Sequence, residues 1–395
     1  MKPNSVVKQV NIRSEWVTAG GRRRTRAAVF ADPREGIRIS DVDIAAPAVG
    51  EVAVQIVAAG VCHSDLHVVR GEWALPGRSV LGHEGAGIVT AVGPGVTTHE
   101  VGDHVVLSWM ADCGTCRYCS AGRPAQCARW NAVVGPRGTL FDGTSRLSVD
   151  GEPVHHYLGV SSFAELAVVP ASGAIKIRTD APLDRVALVG CAVATGVGAV
   201  FNTARVAAGA TVAVIGCGGV GLSVVQGARI AGAGRIIAVD LLDEKLRLAE
   251  RFGASETLDA SQGATVARLR SLVPEGLDFV FDAIGTISTI EQAISALGLG
   301  GAAVIVGLPP AGELASFNPL ALATNDQRIL GSNYGSIDPH RDIPRYVDWY
   351  MEGRLDLDSM ISARLPLSAA AAALDDLASG VALRQLLIPN QIGDC

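Results

Sequence analysis

The chain carries little charge and no positive excess. Asp, Glu, Lys and Arg make up 18% of its 395 residues and the formal net charge is −6, which gives no reason to expect nucleic acid binding. A long unbroken apolar run is also missing. The longest apolar-looking stretch, residues 186–201, is interrupted by glycines and stays short of a membrane span. Arg22-Arg23-Arg24 is followed by no long apolar segment, so neither export nor membrane attachment is expected and a cytoplasmic location is read. The three arginines precede a strand expected from Arg26 to Ala31 and read as a solvated stretch. No tandem repeat or low-complexity tract stands out. Apolar residues are abundant, at 49%, enough for sizeable cores, and this length predicts two domains.

Cysteine is scarce but concentrated: six of the eight fall into two groups. Cys113, Cys116, Cys119 and Cys127 stand at spacings x2, x2 and x7. Four thiolates so close together can complete a tetrahedron around Zn²⁺, as a structural site requires. Disulfide pairing is the alternative, and it is rare in the cytosol. The second group is dispersed: Cys62, the step Gly82-His83-Glu84, and Cys191. Two cysteines and a histidine leave a fourth coordination position open, the arrangement of a catalytic zinc. Taken alone, such residues are more often packing side chains, so the trio draws its meaning from its neighbours. Two zinc ions per chain are expected.

The texture changes along the chain. Residues 1–25 read as an N-terminal extension. Residues 26–192 carry short β-type runs (51–58, 87–92, 104–107, 164–169) separated by glycine and proline, which predicts a compact β domain with long functional loops. Residues 193–332 alternate strand and helix, the pattern of a parallel α/β sheet. Strands are expected over 211–216, 235–240, 256–258, 277–282, 302–307 and 328–332, and helices over 220–231, 243–252 and 287–297. Residues 333–395 leave this pattern and are expected to return to the first domain.

Gly216-Cys217-Gly218-Gly219-Val220-Gly221 matches GxGxxG, follows an expected strand, opens an expected helix, and has Asp240 nineteen residues beyond Gly221. That is the full dinucleotide fingerprint. Gly216 permits the tight turn, Gly218 lets the backbone approach a pyrophosphate, and Gly221 lets helix and sheet pack closely. Gly219 and Val220 open a helix whose N-terminus faces the phosphates. Asp240 can bond both ribose hydroxyls of NAD and would repel a 2′-phosphate, so NAD is expected over NADP. Lys245 reads either as a second ribose contact or as a surface lysine. A redox-inactive zinc beside a nicotinamide site points to alcohol–carbonyl chemistry.

These motifs together resemble the zinc-dependent medium-chain alcohol dehydrogenases, in the branch with both catalytic and structural zinc. The resemblance runs from about Ala27 onward. It rests on Gly60-Val61-Cys62-His63-Ser64-Asp65-Leu66-His67, Gly82-His83-Glu84-Gly85-Ala86-Gly87, the four-cysteine loop, Gly143-Thr144-Ser145-Arg146, Gly190-Cys191 and the glycine fingerprint. It implies a GroES-like catalytic domain and a Rossmann cofactor domain with the active site in the cleft. Cys62, His83 and Cys191 then hold the catalytic zinc, and Glu84 approaches the metal during ligand exchange. Asp65 orients His83. Ser64 takes the proton from the alcohol and passes it through the ribose to His67 at the surface. Thr195 packs on the nicotinamide, and Arg384 resembles a phosphate-binding arginine. His63 stands where relatives often carry arginine against the pyrophosphate and is a weaker, titratable contact.

Relatives that oxidise the glutathione adduct of formaldehyde hold its charged carrier with acidic and arginine side chains. The corresponding places here hold Trp73 and Asn131. An apolar substrate pocket is expected instead, from Trp73, Trp109, Tyr157, Leu158, Leu308 and Tyr334, with Trp109 narrowing it beside the zinc. The function expected is NAD-dependent interconversion of a primary, apolar or aromatic alcohol and its aldehyde. The thiol-dependent formaldehyde-adduct dehydrogenase is the alternative. A non-redox zinc lyase or hydrolase and a non-catalytic dinucleotide-binding protein are rivals of other classes, and intact Ser64, His67, Glu84 and Asp240 argue against both. A homodimer is expected, because the segment from about Val133 to His156 resembles a loop kept by dimeric relatives. Its cofactor domains are expected to pair through an edge strand at residues 302–307.

Overall fold

The computed structural model describes residues 21–380 and 382–390. Most of the expected extension, residues 1–20, lies outside the described residues. The chain divides into two compact units: one runs up to Cys191 and resumes at Asp338, and the other is Ala192–Ile337.

The first unit opens with β1 (Arg22–Phe30), β2 (Ile37–Ala45), β3 (Glu51–Gly60), β4 (Ser79–Val80), β5 (Glu84–Val92) and β6 (His104–Leu107), followed by β7 (Leu147–Val149), β8 (Glu152–His156), β9 (Leu166–Pro170) and β10 (Ala174–Lys176). A closed barrel is formed in the order β1-β2-β7-β8-β4, around Val42, Ile44, Val80, Leu147 and Val154. Arg22-Arg23-Arg24 is not a loose lead-in. It pairs with Ala45, Ile44 and Asp43 of β2, because antiparallel pairing satisfies the backbone while Arg22 and Arg24 stay exposed and Arg23 is partly buried. The segment expected as a dimer loop is also partly structural, since it supplies β7 and β8. Arg146 within it is buried and forms a two-pronged bond to Glu51, Nε to Oε2 at 2.8 Å and Nη2 to Oε1 at 2.7 Å.

The second unit is a parallel sheet of β11 (Thr211–Ile215), β12 (Arg235–Asp240), β13 (Glu256–Asp259), β14 (Leu277–Asp282), β15 (Leu297–Ile305) and β16 (Arg328–Gly331), in the order β13-β12-β11-β14-β15-β16. The order reverses between β11 and β14, the switch point where doubly wound sheets bind ligands. Helices Gly219–Ala231, Asp243–Phe252, Thr265–Leu272 and Ile287–Ser295 connect the strands. The sequence reading lacks the helix Thr265–Leu272, which is short and has only Thr265 and Leu269 buried, too few apolar positions to show a period. Residues 302–307 are not the sheet edge. Ala302–Ile305 pair with β14 on one side and with β16 on the other, so the outer strand is β16. The strand itself is expected at 328–332; its place outside β15 is a matter of pairing that the sequence does not show.

The chain then returns to the first unit with β17 (Ile361–Pro366) and β18 (Arg384–Ile388). β18 runs antiparallel to β3, with Leu386 opposite Gly60 and Leu387 opposite Ala59. This completes the sheet β10-β6-β5-β3-β18-β17, with β9 also on β3. β3 has β-branched residues on both faces and is buried along almost its whole length, as its three partners require. Among the described residues no single helix is long and apolar enough to cross a membrane.

The Arg146–Glu51 pair yields a stability prediction. Arg146→Ala leaves a buried carboxylate without its partner and should cost about 3–5 kcal/mol. Replacing both residues with apolar ones of similar size should cost clearly less. Denaturant unfolding of the two variants checks this.

Candidate functional site

Cys62 follows β3 and caps the helix His63–Val69. Asp65, three residues on and fully buried, accepts the N–H of Cys62 at 3.3 Å and the N–H of Gly82 at 3.0 Å. Its Oδ2 also lies 3.4 Å from Nδ1 of His83. One carboxylate therefore fixes the helix start, the turn before His83 and the imidazole itself. Cys191 arrives through the tight helical turn Ala187–Gly190. Sulfurs of Cys62 and Cys191 and a ring nitrogen of His83 lie within 4.8 Å of one another, and all three residues are buried. Neither ring nitrogen of His83 makes a hydrogen bond of normal geometry among the described residues, a costly condition for buried polar atoms. A zinc ion between the three would relieve it, and two sulfurs with an imidazole are its usual donors. A hydrogen bond from Cys191 holds the Cys62 thiol well below the ordinary thiol range against the opposing effect of burial, and His83 adds to the shift.

Glu84 is fully buried beside His83 and accepts from Nη2 of Arg384 at 2.5 Å. Burial pushes the Glu84 carboxyl up, only partly offset by the Arg384 charge. Gly60 makes room for it: a Cβ there would stand 2.0 Å from Oε1 of Glu84. Arg384, expected as a phosphate contact, is thus brought by β18 onto the carboxylate beside the ligand trio, while its buried Nε has no hydrogen-bond partner among the described residues.

Ser64 Oγ lies 3.9 Å from Cys62 Sγ, and the hydroxyl of Tyr157 donates to the Ser64 carbonyl at 2.9 Å. Tyr157 also stands edge-on to His83, with ring centroids 5.6 Å apart. Trp73 stacks on His67, with centroids 4.5 Å apart, and Trp109 meets Trp130 edge-on at 5.8 Å. Trp73, Trp109 and Leu158 are partly buried against one core that includes Tyr157. His63 is exposed at the first turn of its helix. Leu308, Tyr334 and Thr195 belong to the second unit. Leu308 is 52% exposed, whereas Tyr334 is 2% exposed and sits in a left-handed kink at φ 52°. Three participants escaped the sequence reading: Gly60 as a space-maker, Tyr157 as the anchor of Ser64, and Glu72 on His67. Gly60 and Tyr157 act through long-range contacts that leave no local pattern, whereas Glu72 reaches His67 across the turn that follows its helix.

The sulfurs of Cys113, Cys116, Cys119 and Cys127 form a second group within 4.8 Å of one another. Backbone amides point at them: Cys113 and Trp130 donate to Cys127 at 3.3 and 3.5 Å, and Ala128 donates to Cys116 at 3.4 Å. Backbone N–H groups of Cys119 and Ala128 lower the Cys116 thiol to about 6, which favours the thiolate that zinc binds.

In the second unit, Gly216 has φ +94°, and a Cβ on Gly221 would fall 1.7 Å from the Gly216 carbonyl oxygen. Gly218 has open space where its Cβ would be, the cradle a pyrophosphate needs. Gly219 and Val220 begin the helix Gly219–Ala231. Asp240 accepts the N–H of Cys217 at 2.7 Å and those of Leu241 and Leu242 at 2.8 and 3.1 Å. The carboxylate is pinned beside the glycine loop. Lys245 is half-buried in the first turn of the helix Asp243–Phe252.

Residues 48–179 match the family model of the alcohol dehydrogenase GroES-like domain, and residues 219–352 match that of the zinc-binding dehydrogenases. The chain is 39% identical over 379 residues to an alcohol dehydrogenase class-3 of Cereibacter sphaeroides, covering 92% of this chain and 100% of that one. It is 38% identical to an S-(hydroxymethyl)glutathione dehydrogenase of Paracoccus denitrificans, again over 92% and 100% of the two chains. The crystal structure of benzyl alcohol dehydrogenase from Acinetobacter calcoaceticus superposes with a TM-score of 0.88 at 32% identity, covering 93% of this chain and 99% of that one.

Elemental analysis should find two zinc ions per chain. Cys62→Ser should remove one and abolish turnover with little change in melting temperature. Cys116→Ser should remove the other and lower the melting temperature, with partial loss of activity. Asp240→Ser should relax the preference for NAD over NADP, read as the ratio of kcat/KM for the two cofactors, with a loss of stability of about 1 kcal/mol from the freed loop amides.

Proposed function

Because this chain belongs to the zinc-dependent medium-chain alcohol dehydrogenases, we propose that it oxidises a primary alcohol bearing an apolar or aromatic group to the aldehyde, with NAD in preference to NADP. The observation that carries the substrate class is the commitment of Trp73 and Asn131. Trp73 stacks on His67, and the Asn131 amide donates to the Cys127 carbonyl at 2.9 Å. Neither position offers a charge to a thiol carrier. Trp109 follows β6, whose Leu107 pairs with Gly85 next to Glu84, and this supports its role as a wall that crowds substituted carbinol carbons.

When bound, zinc supplies Lewis acidity to the substrate oxygen and NAD accepts the hydride. Cys62, His83 and Cys191 are the residues to hold the metal, with Asp65 orienting His83. The glycine loop and Asp240 are those to hold the dinucleotide, with Thr195, His63 and Lys245 as further contacts. The buried Nε of Arg384 is a remaining donor for a phosphate oxygen. Ser64, anchored through Tyr157, takes the alcohol proton, and His67 delivers it to solvent. The Glu84–Arg384 pair keeps a second carboxylate beside the ligand trio.

A second reading, oxidation of the hydroxymethyl adduct of glutathione, is favoured by the similarity to the Paracoccus denitrificans S-(hydroxymethyl)glutathione dehydrogenase at 38% identity. A kcat/KM comparison decides between them. Benzyl alcohol should exceed S-(hydroxymethyl)glutathione by at least about tenfold, and the reverse order would sink the first reading. Trp109→Ala should raise activity on secondary alcohols relative to primary ones.

Assembly is proposed as a homodimer through β16, which leaves an open edge and exposes Ile329. Leu299, Leu314, Phe317 and Leu320 of the same unit are also exposed. Light scattering should give the mass of two chains, and Ile329→Lys should shift it toward one. A cytoplasmic location accords with seven described cysteines that are all free thiols.

A further inference from the structure

His67 has partners that none of the motifs names. It is the fifth residue of the helix His63–Val69, and its Nδ1 is hydrogen-bonded to Oε2 of Glu72. The backbone holds Glu72 in place: its N–H donates to the His67 carbonyl at 2.9 Å, and the Trp73 N–H donates to the same oxygen at 3.3 Å. The Trp73 indole lies over the imidazole with centroids 4.5 Å apart and ring planes 21° apart. The side chains of His67 and Glu72 are 22% and 31% exposed, so the pair is partly shielded from solvent screening.

An ionised carboxylate is an acceptor only. Nδ1 therefore carries the proton, and Nε2 of the neutral ring carries the lone pair. We propose that Glu72 and Trp73 are positioning residues for His67, Glu72 setting its tautomer and Trp73 its ring plane, so that Nε2 receives the proton released by the alcohol. The step balances. Nε2 gains a proton and the ring becomes an imidazolium, opposed by the Glu72 carboxylate and lying against the electron-rich indole face. The proton then leaves Nε2 for a solvent base, and the neutral ring is restored. Trp73 accordingly acts on proton release, whereas the sequence alone suggests a substrate wall.

This assignment rests on the role proposed for His67 in alcohol oxidation, and it is tested on the holoenzyme by two readouts. The first is proton NMR in water. The far-downfield Nδ1–H resonance of His67, identified by its absence in His67→Gln, should vanish in Glu72→Gln and persist in Trp73→Leu. The second is the single-turnover rate with benzyl alcohol. It should fall on the order of tenfold in Glu72→Gln, a fraction of the roughly 10²–10⁴-fold that a positioned acid–base group contributes. Added imidazole buffer should restore it, and Glu72→Asp should keep most of it. The double variant Glu72→Gln/His67→Gln should be no slower than His67→Gln alone. A resonance that survives in Glu72→Gln, or losses that multiply in the double variant, would overturn the proposal. An unchanged rate in Trp73→Leu would remove Trp73 from it. The NMR signal is read without turnover, so a wild-type enzyme inactive on alcohols would overturn the functional reading separately.

Discussion

Cys62, His83 and Cys191 come from three distant segments, and their donor atoms have to meet within 4.8 Å inside a dry core. The first unit is arranged around that meeting. β3 delivers Cys62, the turn before β5 delivers His83, and the turn Ala187–Gly190 delivers Cys191. β18 runs back along β3 to place Arg384 there as well. The approach is so close that Gly60 has no room for a side chain against Glu84. Asp65 ties two of the segments with one carboxylate. Buried ligand atoms repel one another and lose hydration, so the fold tolerates their convergence only where an ion and oriented partners compensate them.

Buried charge follows the same rule elsewhere in this unit. Glu84 is matched by Arg384, and Glu51 by Arg146. Each pair joins residues far apart in the chain: Arg384 closes the returning segment onto the site, and Arg146 closes the barrel strands onto β3. Removing one partner is far costlier than never having had the pair, so these pairs specify the arrangement more than they add net stability. The dinucleotide loop uses a milder version. Asp240 directs its oxygens to the amides of Cys217, Leu241 and Leu242 and is held beside the loop.

The four-cysteine loop contrasts with the trio. Its ligands lie within fifteen consecutive residues, and its amide-to-sulfur bonds stay within the same loop. It gathers its donors with little help from long-range pairing. The trio instead depends on what the sheet and the first helix bring together.

Sequence by itself determined the zinc-type clusters, the glycine fingerprint with Asp240, and the run of α/β elements. β12, β14 and the helix Asp243–Phe252 coincide with the expected spans. These features are local: a ligand spacing, a glycine step or an apolar period is complete within a few residues. Tertiary structure alone decided that β16 closes the cofactor sheet, that residues 147–156 build barrel strands, that Arg384 meets Glu84, and that Trp73 turns onto His67. For the first three the physical reason is shared: a strand's place in a sheet and a buried ion pair depend on which distant segment arrives alongside, and no short-range preference of Arg384 or residues 302–307 encodes that arrival. Trp73 is only six residues from His67, but their ring stack is set by the turn after the helix His63–Val69, which folds one over the other.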